Sequence, residues 1–260
     1  MAKNKNKKIY FLCSIPRSGN TLFTSVMNQN PDLVVTPNSI TLAIIRDLHL
    51  IKRRDTFQNF PDERSLNNVM DEVYNLYYKH WNYKVIIDRG PVCTPFNLNV
   101  MKKHFKKPIR CVVLVRDILD VLASYIKWFE NEPTSFFNQY KTLDEKLSII
   151  MDDNGAVAKG LMSIQYLLDH PKTAVFIKYD DLVLNPEKEL RKVYKFLKLP
   201  YYPHTFTDLN QVVVNGRSYN DEFVGKNMHT IRTEKIMKVE NEYKQKIPEK
   251  FIKEYEHITF

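Results

Sequence analysis

Residues 9–27 read Ile9-Tyr10-Phe11-Leu12-Cys13-Ser14-Ile15-Pro16-Arg17-Ser18-Gly19-Asn20-Thr21-Leu22-Phe23-Thr24-Ser25-Val26-Met27. The unbroken apolar run over Ile9–Ser14 has the character of a strand covered on both faces, since a half-exposed strand would alternate. The run breaks at Pro16 and Gly19, after which Leu22, Val26 and Met27 follow helical spacing. A strand that turns directly into a helix aims backbone N–H groups and the positive helix end at one spot, which is a site for an anion. Gly19 lets the backbone come close to that anion, Ser18 and Thr21 carry hydroxyl donors, and Arg17 adds a forked cation suited to phosphate or sulfate oxygens. A nucleotide-triphosphatase loop of the G-x-x-x-x-G-K-[ST] kind would need Gly at position 14 and Lys at position 20. Ser14 and Asn20 stand there instead, so the cation has moved into the turn itself.

Three further apolar runs read as strands: Lys84–Asp88, Ile109–Val115 and Thr173–Tyr179. The third-strand run ends in Arg116-Asp117, and Ile118–Phe129 continues as a helix that Asp117 is placed to cap. Arg116 thus stands at the carboxyl end of a strand, where open α/β sheets bind ligands. Ser124 follows Asp117 by two helical turns and shares its face. An arginine at a strand end and a serine on the next helix make a second anion site. Two separate anion sites suit one nucleotide phosphorylated at both its 5′ and 3′ positions.

Strands alternating with helices imply a doubly wound α/β domain with a mainly parallel sheet. Thr142-Leu143-Asp144-Glu145 is a capping box for one helix, and Asn185-Pro186 opens another that Pro200 stops. Met1–Lys8 reads as a disordered basic tail, residues 9–260 as one domain, and Asp208–Arg232 as a long functional loop. With 43% hydrophobic and 27% charged residues over 260 positions, the chain reads as globular. The formal net charge of +9 favours anionic partners, although Lys3, Lys5, Lys7 and Lys8 supply much of it locally. Cys13 and Cys111 fall inside strand runs, which suggests buried thiols in a reducing compartment. The apolar start lacks a cleavage pattern and no segment approaches the ~20 apolar residues of a membrane span, so the expected address is cytoplasmic. No cluster of His, Cys and carboxylates has metal-ligand spacing, and no metal is expected.

Taken together, these residues resemble the PAPS-dependent sulfotransferases, which use 3′-phosphoadenosine 5′-phosphosulfate, and most closely the protein-tyrosine and bacterial sulfotransferase branch. Ile15–Leu22 is similar to that family's 5′-phosphosulfate loop P-R-S-G-T-T-L, with Asn20 the departure. Val113-Leu114-Val115-Arg116-Asp117 followed by Ser124 resembles its 3′-phosphate motif. Tyr179-Asp180-Asp181-Leu182, Asn185-Pro186, Leu190 and Phe196-Leu197 resemble its Y-E-D-L…P…L…F-L segment. The resemblance implies a P-loop-like fold, PAPS as co-substrate, and a cofactor site formed by Pro16, Arg17, Ser18, Gly19, Asn20, Thr21, Leu22, Arg116, Ser124 and Tyr179. Arg17 would stabilise charge developing in sulfuryl transfer. Lys226 and Arg232 would add contacts from the late loop.

The acceptor side is less legible. The tyrosine-sulfating branch carries a glutamate where this chain has Asn38, which cannot take a proton. Asp88, at the end of the second strand run, is the expected replacement base, and its neighbour Arg89 resembles a catalytic lysine of the family. His104, His80, Asp47 and His49 are weaker choices. A small-molecule, carbohydrate or peptide acceptor fits equally, and oligomeric state is not specified. Two other functions compete: an ATP-dependent kinase, which would need the missing loop lysine, and a non-catalytic nucleic-acid or polyanion binder relying on net charge. The doubly clamped nucleotide favours the enzyme, with no nucleic-acid partner.

Overall fold

Five strands, all parallel, form one sheet in the computed structural model, which describes residues 7–90, 94–132, 134–223, 225–231, 234–238 and 242–260. They are β1 (Lys8–Ser14), β2 (Leu33–Val35), β3 (Val85–Arg89), β4 (Cys111–Val115) and β5 (Ala174–Lys178), in the order β2-β3-β1-β4-β5. The expectation of a mainly parallel sheet holds, and every pairing in it is parallel. The short edge strand β2 is an addition: three residues carry too little pattern to read from sequence. β1 begins at Lys8 rather than Ile9, and the rest of the N-terminal tail, Met1–Asn6, lies outside the described residues.

The strands are apolar throughout because helices cover both faces. On one face Phe11 and Cys13 of β1 pack with Val113 of β4 beneath helices Thr41–Ile51, Glu63–Tyr77, Pro95–His104, Ile118–Asn131 and Ala156–Leu168. On the other, Leu12, Val112 and Ile177 meet Phe23 and Val26 of helix Asn20–Met27 and Leu190 and Val193 of helix Pro186–Leu197. Side chains that alternate across the sheet account for the two cores. Gly160 lies on helix Ala156–Leu168 where a Cβ would stand 3.0 Å from the Ile15 Cα, so its missing side chain lets the helix back the β1 turn closely.

Local signals behave as read. Asp117 accepts from the Asp120 N–H at 2.9 Å, and the Thr142–Glu145 capping box closes in both directions. Helix Pro186–Leu197 ends on Lys198 in the left-handed region (φ 55°), two residues before Pro200. One reading needs correction. Cys111 is a buried thiol, its pKa pushed up to about 12 by burial, but Cys13 is disulfide-bonded. The cysteines therefore do not argue for a reducing compartment. Among the described residues, no helix is long and apolar enough to cross a membrane.

Candidate active site

The order β3-β1-β4-β5 sets the carboxyl ends of four neighbouring strands side by side, and each delivers a residue to one cavity. Arg89 closes β3, Arg17 lies in the turn after β1, Arg116 follows β4, and Tyr179 follows β5. All four line a hollow of about 370 Å³, together with Pro16, Gly19, Asn20, Thr21, Leu22 and Ser124. The chain crosses from β3 to β4 over β1, so this is the switch point where open α/β sheets hold ligands.

The β1 turn is built by its own side chains. Ser18, fully buried, donates its hydroxyl to the Ile15 carbonyl at 2.6 Å, and the Asn20 amide donates to the same oxygen at 3.3 Å. Ser18 therefore pins the loop and is absent from the cavity wall, while Asn20 and Thr21 reach it. Gly19 caps helix Asn20–Met27 at φ 89°, in the left-handed region that glycine occupies without strain. A Cβ there would meet the Tyr179 ring at 2.6 Å. Arg116 lies over the same ring, its guanidinium carbon 4.3 Å from the centroid.

Arg116 and Arg17 converge. Arg116 Nη1 donates to the Arg17 carbonyl at 3.0 Å. Arg17 Nε donates to Ser124 Oγ at 3.0 Å and its Nη1 to the Met228 carbonyl at 2.8 Å. The Arg17 guanidinium thus reaches across to the second anion site instead of staying over the first helix end. Burial pushes its pKa below the ordinary value, with Arg116 adding repulsion. Two cations this close, hydrogen-bonded only to neutral oxygens and with Asp221 as a nearby carboxylate, make a strong pull for an anion.

A family model of the sulfotransferase domain matches residues 7–251. The chain belongs to the sulfotransferase-domain family. No curated protein matches it by sequence. Solved structures that share the fold include the following three. A sulfotransferase domain from the curacin biosynthetic pathway is 18% identical over 76% of each chain, with a TM-score of 0.52. A sulfotransferase domain from the Synechococcus PCC 7002 olefin synthase is 18% identical over 77% of this chain and 76% of its own, with a TM-score of 0.50. A sulfotransferase from Alicyclobacillus acidocaldarius is 14% identical over 76% and 84%, with a TM-score of 0.51.

Within this sulfotransferase domain, the remaining expected residues divide. Arg89 faces the cavity, and its Nη1 donates to the Pro37 carbonyl at 2.8 Å and to the Tyr219 hydroxyl at 2.5 Å. Asp88 points the other way, as strand alternation demands. It is fully buried, accepts from the Thr41 hydroxyl, and does not line the cavity. Burial raises its pKa, opposed by hydrogen bonds from Thr41, Ser39, Tyr78 and Thr36. The geometry gives Asp88 no path to an acceptor. Lys226 is exposed and off the cavity wall, offering only its carbonyl to Trp128 Nε1 at 3.3 Å. Arg232 lies outside the described residues. His104 pairs with Asp71 at 2.9 Å, Asp47 pairs with Arg46 on the surface, and His49 packs edge-on to Phe96. None of these three lines the cavity, nor does the exposed His80.

The cavity also holds residues that sequence reasoning passed over. Lys127 lies one turn after Ser124, a spacing that places both on one helix face. Met228 and Ile231 come from the late loop, and Lys235, Ile236 and Met237 from the segment that follows it. His229 lines the wall as well, stacked on Tyr219 at 3.9 Å with rings 2° from parallel and hydrogen-bonded through Nδ1 to Asp221 at 2.6 Å. No periodicity or motif marks that pair in the sequence. Beyond Pro16, Asn20 and Arg89, which it shares with the first cavity, a second hollow of about 460 Å³ is bordered by Asn38, Thr94, Lys159 and Ser163.

Proposed function

We infer that this domain transfers a sulfuryl group from PAPS to a hydroxyl or amine acceptor. The observation that carries the reading is the convergence of Arg17, Arg116 and Ser124, beside the N-terminus of helix Asn20–Met27, in one cavity at the switch point of the sheet. Arg116 and Ser124 suit the 3′-phosphate, with Arg17 beside them. The first helix end, the Thr21 hydroxyl and Arg89 suit the 5′-phosphosulfate. Tyr179 and the apolar residues Leu22, Ile231, Ile236 and Met237 offer apolar surface on which adenine can pack.

Sulfuryl transfer, like phosphoryl transfer, asks for in-line placement and for cations on the oxygens that gain charge. Arg89 lies at the junction of the two hollows, so an acceptor entering from the second would meet the sulfuryl group beside it. The second hollow is thereby the acceptor side, suited to a small molecule, a sugar or a peptide side chain.

Calorimetry with adenosine 3′,5′-bisphosphate, ADP and ATP tests the reading. The 3′-phosphorylated nucleotide should bind at least ~10-fold more tightly than ADP or ATP, the equivalent of about 1.4 kcal/mol. Arg116→Ala should weaken that binding by about 2–4 kcal/mol, the usual range for leaving a phosphate without its buried cation, and Arg17→Ala should weaken it too. Equal affinity for all three nucleotides, or indifference to both substitutions, would refute it. A labelled-sulfate screen against phenols, sugars and amines then identifies the acceptor.

A further inference from the structure

Asp88 is turned into the core and Asn38 carries no proton-accepting group, so the acceptor's proton needs another destination. We propose that His229 is the general base of the transfer and that Asp221 is its positioning residue, the two forming a dyad carried on the late loop. This rests on the sulfotransferase reading above and deepens it.

The geometry is that of a held imidazole. Asp221 grips His229 twice: one carboxylate oxygen accepts from the ring Nδ1 at 2.6 Å and the other from the His229 backbone N–H at 2.8 Å. With Nδ1 donating to a carboxylate, the lone pair sits on Nε2. Among the described residues no hydrogen bond engages Nε2, and the residue lines the nucleotide cavity. Tyr219 fixes the ring plane by stacking at 3.9 Å, and its own hydroxyl is tied to the Pro37 carbonyl at 2.8 Å and to Arg89. The imidazole is therefore anchored to the same arginine that stands at the junction of the two hollows.

Among the described residues, the charged groups facing the ring are Asp221 from its own loop, Arg89 from β3 and Arg17 from the β1 turn. Burial lowers the His229 pKa and the two arginines lower it further, while Asp221 opposes them. The ring is thus neutral at neutral pH, the state a base requires.

The step balances simply. The acceptor oxygen or nitrogen forms a bond to sulfur as its proton passes to His229 Nε2. The bond between sulfur and the bridging phosphate oxygen breaks, and its electron pair leaves on the 5′-phosphate of adenosine 3′,5′-bisphosphate. Asp221 stabilises the resulting imidazolium until water removes the proton. No oxidant or metal is required.

Two measurements test the dyad apart from the parent reading. Calorimetry with adenosine 3′,5′-bisphosphate should give His229→Gln and Asp221→Asn affinities within about 3-fold of the unaltered domain. Single-turnover release of labelled sulfate from PAPS, to water or to the acceptor found by screening, should fall by about 10²–10⁴-fold in His229→Gln. In Asp221→Asn the rate should fall less, and its acid limb should shift to lower pH. Nitrogen NMR of the His229 ring in the nucleotide complex should show the proton on Nδ1 and a titration below the ordinary imidazole value of about 6.5. Failure of the unaltered domain to bind the bisphosphate would sink the sulfotransferase reading itself. Normal binding with undiminished transfer in His229→Gln, or a ring protonated on Nε2 at neutral pH, would overturn the dyad alone.

Discussion

At the scale of single residues, the site depends most sharply on Gly19. Its φ of 89° costs any other residue about 1–2 kcal/mol, and a Cβ would stand 2.6 Å from a Tyr179 ring that Arg116 holds in place. The ring cannot swing away without giving up its contact with the arginine. Gly19→Ala should therefore act on the ligand site more than on the fold. Affinity for adenosine 3′,5′-bisphosphate by calorimetry should drop at least ~10-fold, while the melting temperature falls by only a few degrees, as about 1 kcal/mol implies for a chain of this size. An alanine variant that binds the nucleotide normally would show that Tyr179 is free to move. Ser18 makes the contrasting case. Its hydroxyl is spent on the Ile15 carbonyl at 2.6 Å and so shapes the loop.

At the scale of elements, β3 shows how one strand serves core and site with adjacent residues. Asp88 goes under helices Thr41–Ile51 and Glu63–Tyr77, and Arg89 goes to the cavity. Because burial raises the Asp88 pKa, the folded state holds this proton more tightly than the unfolded chain. Its contribution to stability is complete below the unfolded carboxylate value of about 3.9 and is lost as pH rises through the folded value. Asp88→Asn, neutral at every pH, should lack that loss. Denaturant midpoints of the variant should gain on those of the unaltered domain as pH is raised from about 4 to about 7. Sulfuryl transfer in the variant should stay within about 3-fold, and a collapse of turnover would return Asp88 to the chemistry. What was legible follows the same division. Long apolar runs, the Pro16–Thr21 turn and the Arg116–Ser124 spacing are local patterns; the runs predict the central strands correctly, and the other two mark residues that the fold brings to one cavity. β2 is too short for a pattern. The facing of Asp88 depends on which helices cover the sheet, and the Asp221–His229 pair lies in a loop without periodicity that Arg89 and Arg17 tie to β3 and the β1 turn.

At the scale of the whole molecule, the cavity is assembled from segments far apart in the chain, from Pro16 to Met237. Arg17 alone bonds Ser124 and the Met228 carbonyl, so one side chain ties the first turn to the fourth strand's helix and to the late loop. A ligand that bridges these segments binds only the folded chain, and its binding energy becomes folding energy. At a concentration 100 times its dissociation constant, adenosine 3′,5′-bisphosphate should stabilise the domain by about 2.7 kcal/mol. For a chain of this length that is a rise in melting temperature of roughly 5–10 °C. ADP at the same concentration should give a much smaller rise, because the Arg116–Ser124 end would have no phosphate to hold. The rise should shrink as salt is increased, since its source is the attraction of Arg17, Arg89 and Arg116 for phosphate. Scanning fluorimetry over a series of nucleotide concentrations is sufficient to measure it. A melting temperature that ignores the bisphosphate while responding equally to any polyanion would mean that the basic surface, rather than this cavity, does the binding.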